Sequence, residues 1–476
     1  MLAEHAVVSR AGEGRAAGIR AVLVSTYELG RQPFGLASPA AWLRRAGASV
    51  TCLDLSRQPL DEAAVRGADL VAFYVPMHTA TRLAVLAAGR VRAMAPGAHL
   101  CFYGLYAPAN EGFLRSLGAG TVLGGEFEEG LLGLARRLGA GRGGPGNGAQ
   151  PEPVISRSKL RFIVPDRGGM VPLAQYAQVR MPDGARRTAG YTEASRGCRH
   201  LCRHCPIVPV YEGQFRIVQR DVVLEDIRRQ VAAGAEHITF GDPDFFNGPG
   251  HALALVRALH AEFPRLTYDV TIKIEHLLEH GEHLPVLRST GCLFVTSAVE
   301  SADDRVLALL DKGHTRADFV EAVRRCRGAG LALNPTFVAF TPWISPEGYQ
   351  DLLALLAELD LVEHVAPIQL AIRLLIPAGS RLLELPEVRG LVGPFDEAAL
   401  CYPWRHPDPR MDRLFEDLHR LVQAGEARSD ARGEIFSRAW LAAARAADGA
   451  GRGLPSPPPQ RGSRTTIPYL TEPWYC

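Results

Sequence analysis

Two successive series of alternating strand-like and helix-like segments, parted by one glycine- and proline-rich stretch, constrain this 476-residue chain most strongly. Buried-strand runs occur at 20–25, 49–55, 69–74 and 99–103, and helical apolar spacing begins at residue 39 and returns at 79–94 and 126–138. Strands alternating with helices predict a parallel, doubly wound sheet. Such sheets bind ligands beyond the carboxyl ends of their strands, which here means the loop 25–30 and the turn 123–126 (Leu-Gly-Gly-Glu). Residues 139–153 (Gly-Ala-Gly-Arg-Gly-Gly-Pro-Gly-Asn-Gly-Ala-Gln-Pro-Glu-Pro) read as a linker, flexible at its start and stiffer at its end.

The second series carries strand candidates at 237–242, 267–272, 292–296, 331–337 and 368–373, with helices at 221–233, 250–262, 302–311, 315–329 and 346–358. Counting the strand before residue 193, six such units predict a partial barrel. The expected fold class is therefore α/β: a Rossmann-like sheet over 1–138, linker and lead-in over 139–175, a partial (β/α)6 barrel over 176–390, and a mixed extension with a flexible tail over 391–476. Within that extension helices are expected near 410–424 and 434–447, followed by a tether at 449–459.

Composition excludes several classes. Hydrophobic content of 47% and charged content of 22% are those of a soluble globular protein. A net charge of +2 gives no basic stripe for nucleic acid. No apolar run approaches the ~20 residues that span a bilayer, and the start, Met-Leu-Ala-Glu-His, lacks the pattern of a secretory signal. Nine cysteines, scattered apart from one cluster, do not form a disulfide framework. Cys52, Cys101, Cys292 and Cys326 sit in apolar, strand-like contexts and read as buried thiols. A cytoplasmic protein is the expectation.

The cluster is Cys198-x3-Cys202-x2-Cys205-Pro206, placed after a short extended segment and a glycine. Three thiols at this spacing can hold three irons of a [4Fe–4S] cube and leave the fourth without a protein ligand. A zinc knuckle is the alternative, but zinc wants a fourth Cys or His at short range. His200 and His204 lie inside the loop, so spacing alone leaves zinc open.

With this loop in place, the chain resembles the radical S-adenosylmethionine (SAM) enzymes that have an N-terminal cobalamin-binding-like domain. The resemblance rests on Ser195-Arg-Gly-Cys198 through Cys205-Pro206, on Ile238-Thr-Phe-Gly-Asp-Pro-Asp-Phe-Phe246, and on Ser297-Ala-Val-Glu-Ser301 with Lys312-Gly313-His314. It implies a [4Fe–4S] cluster on Cys198, Cys202 and Cys205 that reduces SAM to a 5′-deoxyadenosyl radical, with Arg199, Arg203 and His204 placing positive charge beside the sulfurs. Asp242 and Asp244 occupy the place where the family holds the methionine ammonium, with an Asp-Pro turn as the alternative. Glu300 and Ser301 are placed for the ribose hydroxyls or the methionyl part, or Ser301 for a helix N-cap. Arg373 is placed to bind the methionine carboxylate or to form a surface salt bridge. Lys273 and Glu275 either face the barrel mouth or make a solvated pair. An external electron donor of flavodoxin or ferredoxin type is implied, and the substrate is an unidentified small molecule or peptide.

Cobalamin is left open by the sequence. The familiar histidine-bearing loop after the first strand reads Thr26-Tyr-Glu-Leu-Gly-Arg-Gln-Pro-Phe-Gly35, without histidine, so axial histidine ligation is not expected. Gly124-Gly-Glu-Phe-Glu128 matches a turn that recurs in such domains. The layout further resembles a group whose tail carries Cys-Cys or Cys-selenocysteine before Ala-Glu-Pro. On that resemblance the chain is expected to be truncated at a selenocysteine codon after Cys476, which would then belong to a redox pair; a genuine terminal thiol is the alternative. Two other functional classes stay open: a zinc-binding cofactor or nucleotide sensor, and a thiol or selenol redox protein working through Cys476.

Overall fold

A computed structural model of the chain describes residues 16, 18–140, 150–448 and 467–472. The first sheet is six-stranded and parallel, in the order β2-β1-β3-β4-β5-β6. Its strands are β1 (Arg20–Ser25), β2 (Ser49–Asp54), β3 (Leu70–Tyr74), β4 (His99–Tyr103), β5 (Thr121–Gly125) and β6 (Ile155–Ser156). Alternate residues of β1 feed opposite cores. Ala21 and Leu23 pack with the helices Phe34–Arg45 and Phe127–Ala140, while Val22 and Val24 pack with His78–Met94 and Glu111–Ser116. That two-residue alternation is why the strands are apolar throughout. The strand order reverses between β1 and β3, which opens a crevice at their carboxyl ends.

β6 lies within the stretch read as linker and lead-in and adds an edge strand beside β5. Gly125 permits the pairing: its φ is +69°, and a Cβ there would overlap the carbonyl oxygen of Ser156.

The second sheet runs β14-β13-β12-β11-β8-β7-β15. Five strands are parallel: β8 (Arg186–Thr192), β11 (His237–Phe240), β12 (Thr267–Thr271), β13 (Cys292–Glu300) and β14 (Ala332–Phe337). β7 (Gln178–Arg180) pairs antiparallel with β8, and β15 (Tyr469–Leu470) pairs antiparallel with β7. A separate antiparallel pair, β9 (Ser195–Gly197) with β10 (Phe215–Ile217), frames the cysteine loop. Helices Arg220–Ala232, Pro249–Glu262, Arg316–Gly328 and Pro346–Glu358 cover the outer face and enclose one large core, with Tyr268, Phe319 and Tyr349 fully buried.

The strand expected at 368–373 is instead a 3-10 helix, Pro367–Ala371, with one parallel bridge between Phe340 and Arg373. Pro367 has no N–H for a ladder, and the Gln369 side chain accepts from the backbone N–H of Phe337 at 2.9 Å in place of a strand. Among the described residues no helix is long and apolar enough to cross a membrane.

Two ion-pair joints hold the sheets together. Arg167 bonds Asp226 at 2.9 Å and 3.0 Å, and also Gln32 Oε1 at 2.9 Å. Arg196, next to the cysteine loop, reaches Glu128 at 2.7 Å and 2.9 Å, Glu126 at 3.2 Å and Glu193 at 2.6 Å.

Candidate functional site

A cavity of about 460 Å³ lies where the crevice of the first sheet meets the mouth of the second, and both contribute to its wall. Glu28, Tyr74 and Tyr106 come from the first sheet; Cys198, Cys202 and Cys205 face it from the barrel side. The loop reaches this place because β9 and β10 pin its approach, and because Glu126 and Glu128 hold Arg196 two residues before Cys198. The loop is braced further on. Asn247 Oδ1 accepts from Arg199 N at 3.2 Å and lies 3.9 Å from Cys198 Sγ. Arg203 caps the helix Asp304–Leu309, donating to the Leu309 carbonyl at 2.9 Å.

Burial pushes the Cys198 thiol up to about 11, helped by the nearby Asp244 and Cys202. Burial raises Cys205 further still. Cys198 and Cys205 are therefore neutral thiols in the bare loop, and their thiolates form when a metal centre takes up the charge. Among the described residues, the groups whose ligand atoms lie within 4.8 Å of one another include no cysteine. The three sulfurs thus do not all lie within 4.8 Å of one another, as the ligands of a single zinc ion would.

Asp242 and Asp244, adjacent in the motif, have separate duties. Asp242 accepts from Ser195 Oγ at 2.6 Å and Ala194 N at 2.9 Å, tying the end of β11 to the start of the loop. Burial outweighs those bonds and lifts its carboxyl to about 7. Asp244 caps Phe245–Asn247 through Oδ1, while Oδ2 approaches His276 Nδ1 at 2.7 Å and His200 Nε2 at 3.6 Å. Burial opposes its ionisation, but the two imidazoles prevail and hold the carboxyl below its usual range.

Glu300 ends β13 in a left-handed conformation, φ +72°, a strain typical of positions held for function. Its Oε1 meets His204 Nε2 at 3.1 Å and Lys312 Nζ at 3.4 Å. Burial disfavours its charge, yet Lys312 and then His204 hold it at about 2. Ser301 accepts from Asp303 N at 3.1 Å, and Asp303, not Ser301, caps the following helix. Arg373 lines the cavity, but its guanidinium donates to Asp412 at 2.8 Å and to the Trp404 carbonyl at 2.9 Å, and it stacks 3.8 Å from the Trp404 ring. The guanidinium is thus engaged in a partly exposed salt bridge with Asp412 rather than left free as a carboxylate clamp. Lys273 is buried, bonded to Glu275 at 2.7 Å and His200 Nδ1 at 3.0 Å, while the Glu275 side chain is 42% exposed, so the pair meets solvent at its carboxylate end only. Cys52, Cys101, Cys292 and Cys326 are buried away from the site. Cys476 lies outside the described residues.

Residues 192–359 match the family model described as the Radical SAM superfamily. The chain carries a radical SAM domain. The chain is 25% identical across 188 residues to a tRNA-2-methylthio-N(6)-dimethylallyladenosine synthase of Bacillus pumilus, covering 36% of this chain and 35% of that protein. It is 26% identical across 178 residues to the ribosomal protein uS12 methylthiotransferase RimO of Syntrophotalea carbinolica, covering 35% and 39%. The chain thus spans little more than a third of the length of these relatives. Two solved structures share the fold more widely. The cobalamin-dependent SAM radical enzyme OxsB with aqua-cobalamin bound aligns at TM-score 0.64 and 12% identity, over 90% of this chain and 72% of its own. TsrM of Kitasatospora setae, a radical SAM methyltransferase with cobalamin and a [4Fe–4S] cluster bound, aligns at TM-score 0.55 and 19% identity, over 72% and 70%.

The sequence had placed the three thiols of the radical SAM domain but not their supports. Asn247, His276 and the Arg196 carboxylates went unassigned because each is remote in sequence from the loop it braces. The Gly-Gly-Glu-Phe-Glu turn was the available signal for the last of these.

Proposed function

We propose that this chain is a radical SAM enzyme that works with cobalamin on a small-molecule or peptide substrate enclosed between its two sheets. The observation that carries the reading is the placement of Cys198, Cys202 and Cys205 on the wall of one cavity shared with the crevice of the first sheet. Cys198, Cys202 and Cys205 would hold the cluster, which supplies when bound the electron that cleaves SAM, the hard chemistry being the cofactor's own. The chain's part is to position and to exclude water. His204, Glu300 and Lys312 anchor the cysteine loop to the end of β13, and Asn247 holds its first thiol. For cobalamin the first sheet offers two buried polar atoms without hydrogen-bond partners, Ser25 Oγ at the end of β1 and Glu28 Oε2 on the loop after it. Burial also keeps the Glu28 carboxyl well above its ordinary range. A neutral acid there can donate as well as accept, which suits the amide-rich periphery of a corrinoid. Electrons would come from a flavodoxin- or ferredoxin-type donor. The zinc-sensor alternative is not favoured, since the three sulfurs do not all lie within 4.8 Å of one another.

Anaerobic reconstitution tests the reading. The wild-type protein should bind about four irons per chain, and a C198A/C202A/C205A variant none. Turnover releasing S-adenosylhomocysteine with 5′-deoxyadenosine assigns methyl transfer, and 5′-deoxyadenosine alone assigns hydrogen abstraction. One zinc and no iron would end the proposal.

A further inference from the structure

The cysteine loop has two sides. Its inner side gives Cys198, Cys202 and Cys205 to the cavity, and its outer side meets solvent at Arg199 and Leu201. Leu201 is 44% exposed although it shares a peptide bond with Cys202, and Ile217, at the end of β10, is 42% exposed. The described residues hold five large exposed hydrophobics in all. The other three, Leu83, Leu86 and Val320, lie on the helices His78–Met94 and Arg316–Gly328.

Leu201 and Ile217 belong to one continuous surface. Leu201 rests against Gly213, its Cδ2 3.3 Å from where a Cβ would stand, and the Arg199 carbonyl is 3.4 Å from the same point. The Arg199 guanidinium reaches the Asn247 carbonyl at 3.5 Å. At the next residue, Gly248, Phe215 and Ile217 stand 3.5 Å and 3.7 Å from the Cβ position. Apolar side chains exposed singly need no explanation, whereas adjoining ones rimmed by polar groups mark an interaction site. The rim is basic. Between Cys198 and Ile217 the chain carries Arg199, Arg203 and Arg216 against one acid, Glu212, and Glu212 is already held by Arg157 at 2.6 Å. The three arginines bond to carbonyl and amide oxygens instead, so their charge is left in excess. Arg381, which donates to the Leu201 carbonyl at 3.0 Å, is balanced by Glu384.

We propose that this outer face is the docking surface for an acidic one-electron carrier protein, with Leu201 and Ile217 at its apolar centre. The inference rests on the radical SAM reading, in which a cluster on the three cysteines needs one electron for each SAM cleaved. The carrier is oxidised by one electron, the cluster is reduced by one, and no atom changes hands. Such transfer weakens steeply with distance, and a group touching Leu201 is adjacent in sequence to a cluster ligand. Redox partners associate briefly, through interfaces below about 1,200 Å² in total, so a small patch suffices. Opposite charge steers the encounter and raises its rate. A second copy of this chain would instead bring the same positive charge to the contact and be repelled.

Reconstituted full-length protein is titrated with two purified acidic carriers, a flavodoxin and a [2Fe–2S] ferredoxin, and with basic cytochrome c. Calorimetry reads binding, and loss of visible absorbance reads reduction of the cluster, with dithionite as a reductant that needs no docking. An acidic carrier is expected to bind with an affinity that falls as salt rises, and cytochrome c not to bind. L201E and I217E put a like charge at the apolar centre. Each should weaken binding and slow carrier-driven reduction roughly tenfold, while dithionite reduces them about as fast as wild type. Circular dichroism and iron content establish that each variant is intact, and I217E, outside the loop, decides the outcome should L201E lose its cluster. The surface is overturned if neither acidic carrier binds, if I217E binds and accepts electrons as wild type does, or if cytochrome c binds as tightly. A dimer by light scattering that I217E dissolves would assign the face to a second copy and overturn it too. Protein that takes up no iron would end the enzyme reading, and this surface with it, so the iron content tells the two failures apart.

Discussion

At the residue scale, the centre of the molecule is a set of charges that would be ruinous singly and are tolerable only in company. Lys312 and Glu300 are both buried, with side chains 4% and 10% exposed. Replacing Lys312 by Met leaves the Glu300 carboxylate with His204 alone, and breaking a buried pair costs roughly 3–5 kcal/mol. Denaturant unfolding of K312M should show a loss of that order at pH 7. The sign with pH follows from a folded value of about 2 against an ordinary 4.5. The pair stabilises fully above pH 4.5, and the contribution disappears as pH falls through 2. Acidification should therefore narrow the gap between K312M and wild type, and a gap that widens would refute the assignment. Asn247 is a positioning residue of a different sort, touching Cys198 and Arg199 but offering no charge. N247A should fold, yet hold its iron more weakly, by about 10–100-fold as for other supports of metal ligands. A chelator titration of the reconstituted protein reads this directly.

Elements tell how much could be read beforehand. The five parallel strands β8 and β11–β14, and the strands β1–β4, are legible, because strands buried on both faces announce themselves as apolar runs; β5 is not, because its Gly124-Gly125 end reads as a turn. The sixth barrel strand was not, since residues 368–373 have an apolar pattern whose decisive feature is the Gln369 side chain bonding across to Phe337. β6, β7 and β15 escaped notice because they are two or three residues long and are defined by partners far away in sequence. The same holds for the site: three cysteines seven residues apart at most are visible, whereas the Arg196 joint spans 70 residues to Glu126. That joint has its own pH signature. Burial, against the pull of Arg196, lifts Glu126 to about 7 from an ordinary 4.5. Its folded form prefers the proton, so stability is fully present below pH 4.5 and declines as pH rises through 7. Thermal melts of E126Q, which cannot titrate, should lose less between pH 5 and pH 8 than wild type; equal losses would remove Glu126 as the source.

For the whole molecule, the consequence of two ion-pair joints is that the sheets should unfold together. Arg167 holds the nearly inaccessible Asp226 and bonds Gln32 of the first sheet's loop. Its replacement by Met removes one joint, and R167M/R196M removes both. Calorimetry of the double variant should split one endotherm into two, while each single variant keeps one at lower temperature. A double variant with a single transition would mean that the remaining contacts, the Arg57–Glu472 pair and the apolar packing among them, are enough to couple the sheets.

β15 seals a margin. Without it, the outer rim of β7 would present unpaired N–H and C=O groups, an open template on which a second molecule could build. Residues 469–470 fill that rim, and Glu472 fastens them to Arg57 on the far sheet at 3.2 Å. Protein shortened before residue 467 is thus expected to self-associate at concentrations where the longer chain stays dispersed, as light scattering would register. This two-residue strand acts as a selvedge that keeps one copy from being stitched to the next.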